Sequence, residues 1–203
     1  MRPLKLTGII GDPIEHSLSP VMQNAAYRSL KIPYVYVPFR VPPQELKTFL
    51  KKARRWDLIG FNVTIPHKEK ILSHLDRISP EARAIGAVNT VVIQGGRLLG
   101  YNTDAGGYLQ SLQEETGFDP DKKKILILGA GGAARALLYG LRRAGAQEIH
   151  LASRTRKKLL QIETIPLRKT TLKKIFPSID LLINATPVGL NGTRFHCLPL
   201  SSL

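Results

Sequence analysis

Two short stretches of this sequence carry residue types suited to holding a dinucleotide. Residues 129–134 read Gly-Ala-Gly-Gly-Ala-Ala and fit the spacing G-x-G-x-x-A. They fall between an apolar run at 125–128, which reads as a strand, and a helical pattern over 133–144. In that setting Gly129 permits the tight turn, Gly131 leaves room for a pyrophosphate against the backbone, and Ala134 lets the helix pack on the strand. The helix start then turns its unpaired N–H groups toward an anion cradled by Gly129, Ala130, Gly131, Gly132 and Ala133. A glycine turn serving packing alone is the competing reading.

The second stretch decides which dinucleotide. A strand at 149–152 ends in Ser153-Arg154-Thr155-Arg156-Lys157-Lys158. Sites for NAD place Asp or Glu at this point to bond the ribose 2′-hydroxyl, and this stretch has neither. Guanidinium and ammonium groups suit a 2′-phosphate, which points to NADP. The alternative is an exposed helix start that happens to be basic, although cations are disfavoured at that end of a helix.

In the first half, four polar clusters stand where packing alone does not require them. They are His16-Ser17-Leu18-Ser19-Pro20, Asn62-Val63-Thr64-Ile65-Pro66-His67-Lys68, Ala87-Val88-Asn89-Thr90 and Asn102-Thr103-Asp104. Each lies at or beyond the end of an expected strand. In an open α/β sheet such ends converge on a crevice, so the four are expected to meet in one polar pocket.

The elements that must position these groups follow from hydrophobic periodicity. Residues 4–10, 34–39 and 58–63 read as strands. Between them, Ser19 and Pro20 start a helix with Met22, Ala25, Ala26 and Leu30 inward, and residues 42–55 form a helix burying Leu46, Phe49, Leu50 and Ala53. This β-α-β-α-β order calls for a largely parallel sheet covered by helices. A short helix near 81–85 leads to strands at 89–93 and 97–101, joined at Gly95-Gly96 as a hairpin on the sheet edge. Asp104 caps a helix to about 115, and Gly117 to Pro120 end it. The division therefore gives a substrate domain over 1–117 and a cofactor domain over 118–203. In the latter, the strand-helix-strand unit continues through a helix near 157–161, a strand near 164–167, a helix near 172–176 and a strand at 180–184.

Composition narrows the class. The chain has 203 residues, 43% of them apolar, as a packed globular protein requires. No run approaches the roughly 18 apolar residues of a membrane span, residues 1–7 lack the core of a signal peptide, and Cys197 is the only cysteine, so a cytoplasmic protein without disulfides is expected. The five histidines lack zinc-site spacing, and His196 beside Cys197 is an isolated pair, so no metal is assigned. The net charge of +15 invites a nucleic-acid reading, but the basic residues are dispersed in small groups and none is interleaved with aromatics. Nothing in the pattern sets an oligomeric state.

Taken together, the four clusters, the Gly129 turn, the Arg154-Thr155 stretch and Asn184-Ala185-Thr186-Pro187-Val188-Gly189 resemble the shikimate dehydrogenase family, in order, from Gly8 to about Gly189. The resemblance implies NADPH-dependent reduction of 3-dehydroshikimate to shikimate in aromatic amino-acid biosynthesis. It implies that Ser17 and Ser19 bind the substrate carboxylate, that Thr64, Asn89 and Asp104 hold ring hydroxyls, and that Lys68, which also contacts the substrate, and Asp104 near it are catalytic. It also implies that Ser153, Arg154, Thr155 and Lys158 contact the cofactor, although Ser153 replaces a common Asn and Lys158 lacks an arginine fork. The fold class is thus α/β, an open, mainly parallel substrate domain followed by a Rossmann-type NADP domain. A full domain of that type orders its strands 3-2-1-4-5-6, and only four candidates precede Leu203, so the second domain reads as incomplete relative to the family. The alternatives are an enzyme acting on quinate as well as shikimate, and a truncated ligand-binding remnant.

Overall fold

The first apolar run becomes β1, Lys5–Gly11, in a computed structural model that describes residues 3–192. It is followed by α1 (Ser19–Ser29), β2 (Tyr34–Arg40), α2 (Leu46–Ala53), β3 (Leu58–Val63), β4 (Arg77–Ile78), α3 (Pro80–Ile85), β5 (Thr90–Gln94) and β6 (Arg97–Tyr101). Contacts group these elements into one compact unit, Met1–Thr103. Its sheet has the order β2-β1-β3-β5-β6-β4, with β1 parallel to both β2 and β3. The hairpin β5–β6 lies inside the sheet instead of at its edge, because β5 also pairs with β3 and the two-residue β4 pairs beyond β6.

One face of this sheet is sealed as the periodicity requires. Leu46, Phe49, Leu50 and Ala53 of α2 are all buried against Ile10, Phe61, Val63, Val91 and Leu98. Each large side chain removed from water in this way contributes about 1.5–3 kcal/mol. Helix α3 is fixed at both ends. Ser79 Oγ accepts the Ala82 N–H at 3.1 Å, Pro80 opens the first turn, and Gly86 closes the helix at φ +73°.

Helix α1 departs from its expected orientation. Met22 and Leu30 are 61% and 68% exposed, and Ala25 and Ala26 are not buried. The helix docks through polar residues on its other side. The Asn24 amide donates to the Tyr36 carbonyl at 2.8 Å and accepts the Tyr36 N–H at 2.9 Å, satisfying backbone groups of the edge strand β2. Tyr27 bonds Thr7 Oγ1 and packs edge-on against Tyr34. Satisfying an open sheet edge outweighs burying a weak apolar stripe. Ser19 is likewise inside the helix and not its cap, which is Leu18.

The second unit, Asp104–Leu203, contains α4 (Asp104–Thr116), β7 (Lys124–Leu128), α5 (Gly132–Arg143), β8 (Glu148–Ser153), β9 (Lys158–Leu159), β10 (Ile162–Glu163), β11 (Ile165–Pro166), α6 (Lys169–Ile175), β12 (Leu181–Asn184) and β13 (Val188–Asn191). The division falls before α4, ahead of the boundary expected at 117. Helix α4 packs on α5, whose Gly140 lets the two approach: a Cβ there would lie 3.3 Å from the Ala105 carbonyl and from Leu109. The parallel sheet runs β11-β8-β7-β12, the 3-2-1-4 part of the doubly wound order. Its core is Ile125, Ile127, Leu138, Leu141 and Leu151 on one face and Leu126, Leu128, Leu172 and Phe176 on the other.

No helix forms at 157–161. The chain turns back through Leu160 and Gln161, both at positive φ (44° and 71°), and β9 and β10 make a small antiparallel hairpin. The hairpin is anchored because Leu159 is fully buried and the Arg142 guanidinium donates to the Leu160 carbonyl at 2.6 Å. The His196-Cys197 pair lies outside the described residues.

Candidate functional site

Strand register brings four loops to one edge of the first sheet. Ile10 lies opposite Val63 in the parallel pair, Asn62 opposite Thr90, and Thr90 opposite Tyr101 in the antiparallel pairs. The segments that follow β1, follow β3, precede β5 and follow β6 therefore emerge side by side. These are the four polar clusters.

Within this edge the side chains are tied to one another. The Ser17 hydroxyl accepts the Ser19 N–H at 3.3 Å. On the neighbouring strand β2, burial pushes the Tyr36 phenol well above its ordinary value, so it remains a donor. Tyr36 donates to Asn62 Oδ1 at 2.7 Å, and the Asn62 amide donates to Thr90 Oγ1 at 3.1 Å and the Asn89 carbonyl at 3.3 Å. Asn89, 8% exposed, holds Thr103 through both its amide atoms. Asn102 donates to the Ala87 carbonyl at 3.0 Å. Four segments, β2, β3, the start of β5 and the loop after β6, are thereby fixed by one polar network.

Thr64 and Lys68 sit on the turn after β3, both half-buried. Thr64 N–H bonds the Ile10 carbonyl, and the Lys68 carbonyl accepts the Val88 N–H at 2.8 Å, so this turn is held from two sides of the edge. Between them His67 is fully buried and donates Nε2–H to the Val41 carbonyl at 2.6 Å. Its Nδ1 finds no partner among the described residues, and burial pushes the imidazole below its ordinary range, which keeps it neutral at pH 7. Asp104 begins α4 as the first residue of the second unit, directly after Thr103.

Spacing alone assigns no role to Tyr36, Asn62 or His67. Asn62 and His67 lie inside one of the polar clusters that the sequence does show, whereas Tyr36 is legible only as a strand residue. Alternation along β2 puts Tyr34 and Tyr36 on the same face, which is the signal available for it.

In the second unit the Gly129 turn combines a packing requirement with open space for a dinucleotide. Gly129 has φ +116°, and a Cβ there would stand 2.8 Å from the Ala185 carbonyl, so the loop after β12 also requires this glycine. A Cβ on Gly131, at the start of α5, would meet nothing within 4 Å, which leaves space beside the first-turn N–H groups. Ala134 is fully buried, as helix-to-strand packing demands. The loop after β12 is shaped by Asn184, whose Oδ1 accepts the Thr186 N–H and whose Nδ2 donates to the Val188 carbonyl.

At the end of β8, Ser153 is buried and donates to the Thr155 carbonyl at 2.5 Å, while Arg154, Thr155 and Lys158 are exposed. A hollow of about 440 Å³ opens here, lined by Ser153, Arg156, Glu163, Thr164, Ile165 and Pro166. Arg156 and Glu163 form an ion pair of 2.8 Å across its rim. Sequence spacing missed Glu163 and Thr164 because a hairpin, not a helix, returns them to the strand end. No cluster of His, Cys, Asp and Glu suited to a metal occurs among the described residues, nor does any helix there have the length and apolarity to cross a membrane.

Residues 9–91 match the family model described as the shikimate dehydrogenase substrate binding domain. A shikimate dehydrogenase (NADP(+)) of Geobacter sulfurreducens is 44% identical, the match covering 98% of this chain and 74% of the relative. Among solved structures, shikimate dehydrogenase from Aquifex aeolicus superposes with a TM-score of 0.87 at 37% identity, covering 98% of this chain and 74% of that one. The Thermus thermophilus enzyme, solved in complex with NADP(H) and shikimate, gives 0.79 at 39% identity, with coverages of 92% and 70%. A likeness of that extent means that the chain belongs to the shikimate dehydrogenase family.

Proposed function

We propose that this chain catalyses the reversible, NADPH-dependent reduction of 3-dehydroshikimate to shikimate. The observation that carries the reading is the convergence of four hydroxyl- and amide-rich loops on one sheet edge, three of them tied by a continuous hydrogen-bond network from Tyr36 to Thr103. A polyhydroxylated carboxylate needs such an array of fixed donors and acceptors.

In this reading Ser17 and Ser19 hold the substrate carboxylate, and Thr64, Asn89 and Asp104 hold its hydroxyls. Bound NADPH supplies the hydride. Lys68 supplies the proton that the reduced carbonyl oxygen needs and takes it back in the oxidation direction. Gly129, Ala130, Gly131, Gly132 and Ala133 would seat the pyrophosphate, and Ser153, Arg154, Thr155 and Lys158 the phosphorylated ribose. Preference for the phosphorylated cofactor follows from the exposed cations at the end of β8. The four polar clusters, Asp104 included, thus serve substrate, and the Gly129 turn and the end of β8 serve cofactor.

The test is NADP-linked oxidation of shikimate by the purified chain, with quinate and NAD in parallel. Lys68→Ala is expected to lower kcat by about 10²–10⁴ with shikimate binding retained. Activity surviving that substitution would remove Lys68 from the chemistry, and no turnover of shikimate by the parent chain would overturn the proposed reaction.

A further inference from the structure

The end of β8 lacks an acidic residue in sequence, yet the fold delivers one. After Arg156 the chain reverses through Leu160 and Gln161, and the register of the resulting hairpin places Glu163 opposite Lys158. Glu163 Oε2 then meets Arg156 Nη2 at 2.8 Å, and both side chains line the hollow beside Ser153 and Thr164. The arrangement is held from behind. Leu159 is fully buried, Arg142 holds the Leu160 carbonyl, and Thr164 Oγ1 accepts the Lys157 N–H at 2.9 Å.

This carboxylate stands among the cations that favour a 2′-phosphate. The Arg156 guanidinium holds it below the ordinary carboxylate range, and Lys158 adds to the effect, so it is ionised wherever the enzyme works. A phosphate entering the hollow must compete with it for Arg156 and bear its repulsion. A ribose without the phosphate brings hydroxyls instead, and a carboxylate at this place accepts their hydrogen bonds. The pair is also loosely held, since its side chains are 84% and 60% exposed. Exchange of partners at Arg156 therefore meets little resistance.

We propose that Glu163 is a specificity-determining residue of the cofactor site, holding Arg156 and narrowing the preference for NADP over NAD. The proposal rests on the reading of the second unit as a dinucleotide site. It makes Arg156 a conditional ligand, bound to Glu163 when the hollow is empty or holds an unphosphorylated ribose, and to phosphate when NADP enters.

Calorimetric titration of the 203-residue chain with NADP and with NAD, at low and high salt, tests this directly. Glu163→Gln is expected to tighten NADP binding by about three- to tenfold at low salt, with less gain at high salt, and to leave NAD unchanged or weaker. Glu163→Asp, which keeps the charge, should stay near the parental ratio. On an Arg156→Gln background, which itself weakens NADP, the gain from Glu163→Gln should shrink. An unchanged or reduced preference for NADP in Glu163→Gln, with parental binding intact, overturns the role of Glu163 alone. Binding of neither nucleotide by the parent chain overturns the cofactor reading and this proposal with it.

Discussion

Asn89 grips Thr103 through both atoms of its amide, donating from Nδ2 to Thr103 Oγ1 at 2.8 Å and accepting the Thr103 N–H on Oδ1 at 3.0 Å. The segment before β5 is thereby locked to the segment after β6, one residue ahead of Asp104. Asn89→Ala is expected to cost about 1–3 kcal/mol, since it strands a backbone donor, and to raise KM for shikimate. Chemical denaturation and steady-state kinetics check the two effects separately.

Gly129 and Gly131 separate structural from functional need. Gly129→Ala drives a Cβ to 2.8 Å from the Ala185 carbonyl at a φ that disfavours side chains, so a loss of at least about 2 kcal/mol is expected. Gly131→Ala meets no protein atom and should keep the parental Tm. It should nonetheless weaken NADP binding by about tenfold, or about 1.4 kcal/mol, by occupying the space beside the helix start.

Buried, neutral His67 makes stability depend on pH. Its folded pKa lies below the ordinary value of about 6.5, so above that pH both folded and unfolded states are neutral and nothing is lost. As pH falls below 6.5 the unfolded chain takes up a proton that the folded chain refuses, and stability declines until the folded pKa is reached. His67→Gln is expected to flatten this part of the profile. Thermal melts between pH 7.5 and 5 read it, and an unchanged acid slope in the variant would assign the loss to other groups.

The exposed side of α1 should tolerate change. Met22→Gln is expected to alter stability by no more than about 0.5 kcal/mol. Leu138→Ala, at a fully buried position of α5, should cost about 2–5 kcal/mol. Urea titration of the two variants compares them.

Much of this organisation was legible in the residues. Leu46, Phe49, Leu50 and Ala53 declared the buried side of α2, and the Gly129 turn declared both its strand and its helix. Periodicity misled for α1, where Asn24 and Tyr27 make the docking contacts and the apolar residues face away. A polar side chain that closes a sheet edge leaves no periodic mark. The same limit hid Glu163, because a two-residue strand is too short for alternation to show. The site clusters were visible as polar groups at strand ends, but the Tyr36–Asn62 link between them needed the register of strands that are distant in sequence.

That register has a consequence for how the family can vary. Because the four loops hang from adjacent strand ends, their spacing is set by backbone pairing in the sheet and hardly at all by the loops' own lengths. Insertions within the loops are therefore accommodated, whereas one residue gained or lost inside β3 or β5 would carry Asn62 or Thr90 to the opposite face. Drift in sequence should accumulate in the connections and leave the interior lengths of these strands constant.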